Sequence, residues 1–150
     1  MRDISLNIVY KENVLTANDF ILLHKKMGLA EFSIEQVTKS MAHNLFSIVA
    51  VSNDEVIGMG RLLGDGALFW YINDILVLTE HQGKGIGRDI VKRLIQYTKE
   101  NSIPNTSVPI YLFCAKDKES FYEKLGFTDS RKHGGVGMFL DIEICESINL

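Results

Sequence analysis

A glycine-rich loop at residues 82–88 constrains the fold of this chain more than any other segment. The loop reads Gln-Gly-Lys-Gly-Ile-Gly-Arg and lies between an apolar run at 72–78 and an amphipathic segment that continues to about residue 100. This order predicts a strand, a tight turn and the start of a helix. Alternate glycines leave backbone N–H groups uncovered, and the first turn of a helix adds unpaired N–H groups and the positive end of its dipole. The loop is therefore predicted to bind an anion, and a pyrophosphate fits.

The residue after the last glycine separates three kinds of phosphate-binding loop. A dinucleotide-binding G-x-G-x-x-G that starts at the first glycine requires glycine at position 88, and so does a triphosphate-binding G-x-x-x-x-G-K-[ST]. Position 88 is arginine. The remaining pattern is Q-x-x-G-x-G, formed by Gln82, Gly85 and Gly87. Lys84 and Arg88 add positive charge where a first helical turn normally favours Asp and Glu, and a bound anion would compensate for it.

A second motif follows the loop, in the order that one known family shows. Residues 121–127 read F-Y-E-K-L-G-F. Together the two motifs resemble the acetyl-CoA-binding motif and the C-terminal F-Y-x-x-x-G-F signature of the GCN5-related N-acetyltransferase (GNAT) superfamily. They cover roughly residues 70–130, whereas the first seventy residues are similar only in the order of their elements. The resemblance implies the GNAT fold and acetyl-CoA as co-substrate, with no metal.

Apolar periodicity and turn sequences predict the elements along the chain. Strands are predicted at residues 4–10, 45–52, 55–63, 68–78, 109–114 and 136–145, and helices after the capping residues Thr16 and Ser33, after the glycine loop and at 118–125. The order is β-α-α-β-β-β-α-β-α-β. It predicts an α/β (α+β) fold in which a mixed, mostly antiparallel sheet of six to seven strands is flanked by helices, in one N-acetyltransferase domain spanning residues 1–150.

Composition narrows the class of protein and its partners. A chain of 150 residues that is 46% hydrophobic and 23% charged suits one globular domain, and a net charge of −3 gives no basis for a nucleic-acid partner. The two cysteines, Cys114 and Cys145, are too few for a disulfide framework, and Cys114 is predicted to be a buried, inert thiol. No apolar run reaches the length of a membrane helix, so a cytoplasmic protein without a membrane partner is predicted.

The resemblance implies which residues hold acetyl-CoA. Ile75, Leu76 and Val77 would lie on a strand splayed from its neighbour, where their backbone groups can bind pantetheine and the thioester carbonyl. Core packing is the alternative role for these three residues. The pyrophosphate would be held by the loop residues Gln82, Gly83, Lys84, Gly85, Ile86, Gly87 and Arg88. Ala115 stands where the family frequently has asparagine, so one cofactor hydrogen bond is missing or made elsewhere.

Two residues are candidates for proton transfer. Tyr122 matches the tyrosine of the family signature, and a phenol with a pKa of about 10 can protonate the departing thiolate. A tyrosine of the core is the alternative. Asp74 lies in an otherwise apolar strand just before residue 75 and could bind the ammonium of the acceptor or take its proton. An aspartate on the solvated end of the strand is the alternative, and Glu31 and Glu35 are the next candidate bases.

These residues together predict an N-acetyltransferase that works by direct transfer in a ternary complex. The resemblance implies an acceptor pocket at roughly residues 20–46, and a primary amine of a small molecule is favoured because no long acidic groove for a basic peptide is apparent. A protein N-terminus or lysine is the alternative acceptor, and a non-catalytic acyl-CoA-binding sensor is the alternative class. The four histidines, His24, His43, His81 and His133, are too scattered to indicate a metal site. A homodimer is left open.

Overall fold

The computed structural model describes residues 7–138 and 140–144. The chain divides into two compact units, Met1–Leu112 and Phe113–Leu150, here called the N-terminal and C-terminal units. The N-terminal unit contains strands β1 (Val9–Glu12), β2 (Phe46–Ser52), β3 (Glu55–Gly64), β4 (Trp70–Val77) and β5 (Ile110–Tyr111), and helices α1 (Ala17–Lys26), α2 (Ile34–Met41) and α3 (Ile86–Asn101). The C-terminal unit contains helix α4 (Glu119–Glu123), and short 3-10 turns lie at Thr79–His81 and Ser130–His133.

One sheet with strand order β1-β2-β3-β4-β5 forms the N-terminal unit. The first three pairings are antiparallel and the β4–β5 pairing is parallel, which confirms a mixed, mostly antiparallel sheet flanked by helices. The predicted number of strands was wrong, because the described residues form five rather than six to seven. The first strand also begins later than predicted, at Val9, and residues 1–6 lie outside the described part of the chain.

The predicted last strand at 136–145 is the main error. Residues 136–138 and 140–144 carry no strand, whereas residues 139 and 145 lie outside the described residues. Alternating apolar side chains indicate a strand only if one face becomes buried. The apolar side chains of this segment are all exposed: Val136, Met138, Leu140, Ile142 and Ile144.

Two other predicted elements are shorter than expected. The predicted strand at 109–114 is reduced to the two residues of β5, which pair with β4 only at Trp70 and Tyr71. Pro109 has no N–H group to extend the ladder on the N-terminal side. The predicted helix at 118–125 is reduced to Glu119–Glu123, and Gly126 follows it with φ of +97°.

Local sequence accounts for the turns and helix starts of the N-terminal unit. Asn53 and Asp54 both have positive φ, 49° and 62°, so they form the two-residue turn that joins β2 to β3. Thr16 caps α1 and Ser33 caps α2, each by accepting a backbone N–H bond from the third residue of its helix. In both cases that third residue bonds back to the cap, which completes a capping box and confirms the predicted starts.

Helix α3 packs on the sheet through one apolar face, and two glycines of β3 make room for it. The buried residues of the helix are Ile86, Ile90, Val91, Leu94 and Thr98. A Cβ on Gly60 would lie 2.5 Å from Cγ2 of Ile90, and a Cβ on Gly58 would lie 3.4 Å from Cδ1 of the same residue. Small residues on β3 therefore allow α3 to approach the sheet closely. Within the described residues, no helix combines the length and apolar character needed to cross a membrane.

Candidate active site

A β-bulge interrupts β4 at Asp74. Leu76 pairs with Met59 and Asn73 pairs with Arg61, so two residues of β4, at positions 74 and 75, face the single residue Gly60 of β3. Asp74 has φ of +54°, a left-handed conformation that non-glycine residues adopt only when the surrounding structure holds them there. The alternative that Asp74 lies on the solvated end of its strand was wrong, because it lies within β4.

The backbone of β4 after the bulge has an open side. The described ladder between β4 and β5 ends at Tyr71, so the later residues of β4 pair with β3 alone in that ladder. The N–H of Leu78 donates to the carbonyl of Ile57 at 2.9 Å. Because backbone groups alternate in direction along a strand, the backbone of Val77 turns away from β3. Nε2 of Gln82 donates to the Val77 carbonyl at 2.9 Å, and outside the sheet ladder no described residue accepts a hydrogen bond from the Val77 N–H.

The predicted pantetheine residues follow the bulge directly. The side chain of Leu76 is buried in the core, whereas Ile75 and Val77 are half-buried. Core packing and backbone contact with a ligand are compatible in this strand, because its side chains and its backbone groups point in different directions.

The glycine loop forms the predicted turn before α3. Gly83 and Gly85 have φ of 75° and 81°, values that L-residues rarely adopt. Gly85 is the N-cap of α3, and among the described residues no side chain caps this helix. The N–H groups of Ile86, Gly87 and Arg88 therefore have no acceptor within the helix. This arrangement offers three N–H donors and the positive end of the helix dipole to an anion.

The charged residues of the loop already have partners. Nζ of Lys84 donates to the carbonyl of Glu80 at 3.1 Å, and Nε of Arg88 donates to Oδ1 of Asp89 at 3.2 Å. Asp89 also accepts a hydrogen bond from the hydroxyl of Tyr10 at 3.1 Å. Partial burial, followed by the bond to Asp89, raises the pKa of Tyr10 to about 12. The uncompensated positive charge predicted for this turn is therefore smaller than the sequence indicated, although the Arg88 side chain is 57% exposed and can turn toward a ligand.

A buried arginine holds the carboxylate at the bulge. Arg61 of β3 is only 5% exposed, and its guanidinium makes four hydrogen bonds. NH1 donates to Oδ2 of Asp74 at 2.8 Å, Nε donates to Oδ1 of Asn44 at 2.8 Å, and NH2 donates to Oγ and the carbonyl of Ser40 at 2.7 and 3.3 Å. A buried charge requires such partners. Arg61 thus joins β3 and β4 to α2 and the segment after it.

His24 of α1 completes this group of side chains. Its Nε2 lies 3.9 Å from Oδ1 of Asp74, and its Nδ1 lies 3.1 Å from the carbonyl oxygen of Ala30. The imidazole stacks on Phe20 with ring centroids 4.2 Å apart, and it packs edge-on against Phe32 with ring centroids 5.8 Å apart. We call this group of five side chains the Arg61 cluster: Arg61, Asp74, His24, Ser40 and Asn44.

Of the Arg61 cluster, sequence reasoning identified only Asp74 as a site residue and missed the other four members, two of which left a signal in the sequence. Arg61 stands in an apolar run, where a charged residue needs a buried partner, and the argument that singled out Asp74 would also have found it. His24 follows the apolar stripe of α1 four residues after Phe20, which is the spacing of a stacked pair on one helix face.

A groove between α2 and β3 lies within the predicted acceptor region and extends beyond it. Its volume is about 520 Å³. The lining residues are Gln36, Lys39, Ser40, His43, Arg61, Leu63 and Gly64. This lining contains basic side chains and no carboxylate, so the groove does not favour a ligand that brings several positive charges.

Tyr122 belongs to the C-terminal unit, where aromatic rings surround it. The rings of Phe121 and Phe127 contact it edge-on, with centroids 4.9 and 5.8 Å away, and the N–H of Phe127 donates to its carbonyl at 3.1 Å. Burial, and to a lesser extent the neighbouring Cys114, raises the pKa of Tyr122 above the ordinary value of a phenol. The hydroxyl is therefore protonated at neutral pH. Cys114 is exposed, and the prediction of a buried thiol was wrong because β5 ends before it.

Residues 43–129 match the family model described as the acetyltransferase (GNAT) domain. This match covers more than half of the chain, and the chain belongs to the GNAT acetyltransferase family. Among the described residues, no group of three or more His, Cys, Asp or Glu side chains is arranged to hold a metal ion.

Known proteins resemble the chain over most of its length. It is 27% identical over 146 residues to the GCN5-related N-acetyltransferase 3, chloroplastic, of Arabidopsis thaliana, covering 91% of this chain and 60% of that relative. It is 28% identical to a protein of unknown function from meticillin-resistant Staphylococcus aureus described as a probable acetyltransferase, with a TM-score of 0.80 over 90% of this chain and 99% of the other. A predicted acetyltransferase with acetyl-CoA from Clostridium acetobutylicum, 19% identical, shares the fold with a TM-score of 0.66 over 91% and 96% of the two chains.

Proposed function

We propose that residues 1–150 act as one acetyl-CoA-dependent N-acetyltransferase domain that moves the acetyl group directly onto a primary amine of a small molecule. The observation that carries this proposal is the bulge of β4, which sets the carboxylate of Asp74 beside a strand segment with an open backbone side. In the reaction the amine nitrogen forms a bond to the acetyl carbon, the carbon–sulfur bond breaks, and the amine loses a proton while the thiolate gains one.

The glycine loop and the end of β4 are the proposed acetyl-CoA site. The open N–H groups at the start of α3 suit a pyrophosphate, and the left-handed glycines keep side chains away from it. The N–H of Val77, which is directed away from β3, suits a carbonyl of pantetheine. Use of acetyl-CoA by the GNAT family, and its presence in the Clostridium acetobutylicum structure, support this assignment.

Asp74 is the proposed binding residue for the acceptor ammonium. Its carboxylate is held by Arg61 at 2.8 Å and its side chain keeps 23% exposure, so it is both oriented and reachable. Glu31 and Glu35 are weaker candidates, because both are exposed and Glu35 stands in the first turn of α2.

Tyr122 is the proposed proton donor for the departing thiolate. Its raised pKa keeps the hydroxyl protonated at neutral pH, as a general acid must be before it reacts. Ala115 offers only its backbone to a ligand, and its carbonyl already accepts the N–H of Lys118 at 3.1 Å.

The groove beside α2 supports a small acceptor over a basic peptide. A lysine-rich peptide brings several positive charges, and the groove presents Lys39 and His43 without a lining carboxylate. A protein N-terminus or an isolated lysine remains the alternative acceptor, and a sensor that binds acyl-CoA without reaction remains the alternative class.

An amine panel tests the proposal. Wild-type protein would be incubated with acetyl-CoA and small primary amines, peptides with free N-termini, or N-terminally blocked lysine peptides, while thiol release is followed. Amine-dependent release that is fastest with a small amine supports the proposal. Faster thiol release with either peptide class would mean that the acceptor is a peptide amine. Binding of CoA without thiol release would favour the non-catalytic acyl-CoA-binding sensor.

A further inference from the structure

We propose that His24 takes the proton from the acceptor ammonium while Asp74 holds the positive charge beside it. This inference rests on the proposed function and assigns the proton acceptor within it.

The hydrogen-bond partner of Nδ1 determines which nitrogen of His24 can act as a base. Nδ1 lies 3.1 Å from the Ala30 carbonyl, and a carbonyl oxygen only accepts hydrogen bonds. Nδ1 therefore carries the hydrogen in this contact. In the neutral imidazole Nε2 then holds the lone pair, and Nε2 is the nitrogen that faces Asp74.

The gap between Nε2 and the carboxylate fits a hydrogen-bond donor. Nε2 of His24 and Oδ1 of Asp74 are 3.9 Å apart, which is too far for a direct hydrogen bond. When the imidazole is neutral, both atoms are hydrogen-bond acceptors. A nitrogen placed about 2.9 Å from each of them could donate one hydrogen to Nε2 and one to Oδ1. An alkylammonium carries three such hydrogens and the charge that a carboxylate attracts. The side chains of His24 and Asp74 are 12% and 23% exposed, so neither is fully enclosed by protein.

The two facing groups are suited to different tasks. Oδ2 of Asp74 accepts a hydrogen bond from the guanidinium of Arg61, which orients the carboxylate and leaves Oδ1 to accept a hydrogen bond from the ammonium. Imidazole is the side chain that exchanges a proton most readily between pH 5 and 8. The stack on Phe20 and the edge of Phe32 restrict rotation of the ring, which keeps Nε2 directed at the carboxylate.

The proton step is balanced within these groups. One N–H bond of the ammonium breaks, its electron pair remains on nitrogen as the lone pair for attack, and an Nε2–H bond forms. The imidazolium charge is then offset by Asp74 of β4, with Arg61 of β3 as the neighbouring positive group. Lys25 and Lys26 follow on α1, and Lys26 is paired with Glu55. Glu31 lies in the exposed segment after α1.

The test compares His24→Gln with wild type and with His133→Gln, a matched change at an exposed histidine of the C-terminal unit that contacts Thr128. The kcat/KM for the best amine of the panel would be measured from pH 5.5 to 9.5. We expect kcat/KM of His24→Gln to fall about 10²-fold at neutral pH, to lose the acidic limb of its pH profile, and to recover in part at high pH, where free amine is abundant. The KM for acetyl-CoA and the thermal midpoint should change little, and His133→Gln should match wild type.

Two outcomes separate the inference from the proposed function. If wild type acetylates amines and a folded His24→Gln variant keeps its rate and its acidic limb, the assignment of His24 is overturned and the proposed function stands. If wild type acetylates no amine, both fail. Should the variant not fold, the ring ¹⁵N shifts of His24 in wild type decide instead. A neutral ring with its hydrogen on Nδ1 is required, and a hydrogen on Nε2 would overturn the assignment.

Discussion

The glycine loop and the Arg61 cluster are both parts of the N-terminal unit, yet they are built in opposite ways. The loop is seven consecutive residues that present backbone N–H groups, and its conformation depends on the positive φ of Gly83 and Gly85. The cluster consists of side chains from α1, α2, β3, β4 and the segment after α2, and it depends on one buried guanidinium. A site made of backbone tolerates most side-chain changes, whereas a buried charge network depends most on the central charge that its other members contact.

The largest effect should follow removal of the central arginine. Arg61→Met removes the four hydrogen bonds of a buried guanidinium and leaves the half-buried Asp74 carboxylate without its partner, so we expect a loss of about 3–5 kcal/mol in the free energy of unfolding. Urea unfolding followed by circular dichroism would measure it. Lys26→Met, which breaks the more exposed pair with Glu55, is the control and should change the free energy of unfolding far less. Equal, small losses in both variants would mean that the cluster does not support the fold.

A change in the glycine loop should impair CoA binding more than it impairs folding. Gly85→Glu places an anion where the pyrophosphate is expected and strains the left-handed backbone, so the protection by CoA should disappear. For wild type that protection is about 2.7 kcal/mol at a hundredfold excess over Kd. The thermal midpoint with and without CoA measures it.

Gly134→Glu controls for the backbone strain of this change. Gly134 has φ of +82°, and nothing lies within 4 Å of its missing Cβ. This variant should keep the stabilisation by CoA. Equal protection of wild type and Gly85→Glu would remove the loop from the cofactor site.

Tyr122→Phe tests whether a residue outside both regions contributes to the chemistry. Only a hydroxyl is removed, so kcat should fall about 10²-fold while acetyl-CoA affinity is preserved. Steady-state kinetics together with CoA titration would show this. Tyr97→Phe, at a ring stacked on Phe46 in the N-terminal unit, is the control and should leave kcat unchanged. A wild-type kcat for Tyr122→Phe would make this residue part of the core.

A smaller loss of stability is expected at Gly60 of β3, the strand that contacts both the bulge of the Arg61 cluster and the helix that follows the glycine loop. Gly60 faces the bulge and lies under α3, and a Cβ there would stand 2.5 Å from Ile90. Gly60→Ala should cost about 1–3 kcal/mol of unfolding free energy by overpacking. Gly135→Ala, at a site with nothing within 4 Å, should be nearly neutral in the same urea titration. If both variants unfold alike, the close approach of α3 to the sheet is not needed.

The smallest effect should come from Tyr10, which joins β1 to α3 through Asp89. Its pKa is raised from 10.0 to about 12, so its contribution to stability is complete below pH 10 and is lost as the pH rises from 10 to 12. Tyr10→Phe should remove that part of the pH dependence. Unfolding curves at pH 9, 11 and 12 would compare the two proteins. Parallel losses in both would assign the alkaline destabilisation to other groups.

Local signals predicted the parts of this protein that depend on short segments. Asn53 and Asp54 indicated their hairpin, Ser33 indicated its capping box, and the alternating glycines indicated the turn before α3, because each conformation is determined within a few residues. The bulge at Asp74 and the ion pair with Arg61 were not predicted. Both depend on the register between β3 and β4, which pattern alone does not define.

The error at residues 136–145 has the same physical origin. The apolar alternation there is real, but a strand also needs a paired neighbour and a covered face, and the described apolar side chains of this segment are exposed. His24 was considered only as a metal ligand, since its contacts with Phe32 and Asp74 come from separate parts of the chain. Sequence patterns therefore did not predict site residues that are distant in the chain and meet only through tertiary contacts.

The activity of Asp74→Asn across pH tests the central claim most directly. The substitution keeps the size of the side chain and removes the charge that is proposed to hold the acceptor ammonium. Amine-dependent thiol release should show that kcat/KM for the amine falls about 10²-fold at pH 7, that part of the loss is recovered as the pH rises and free amine becomes abundant, and that acetyl-CoA binding is unchanged. Full activity of Asp74→Asn at neutral pH would contradict the claim that the bulge of β4 forms the acceptor site.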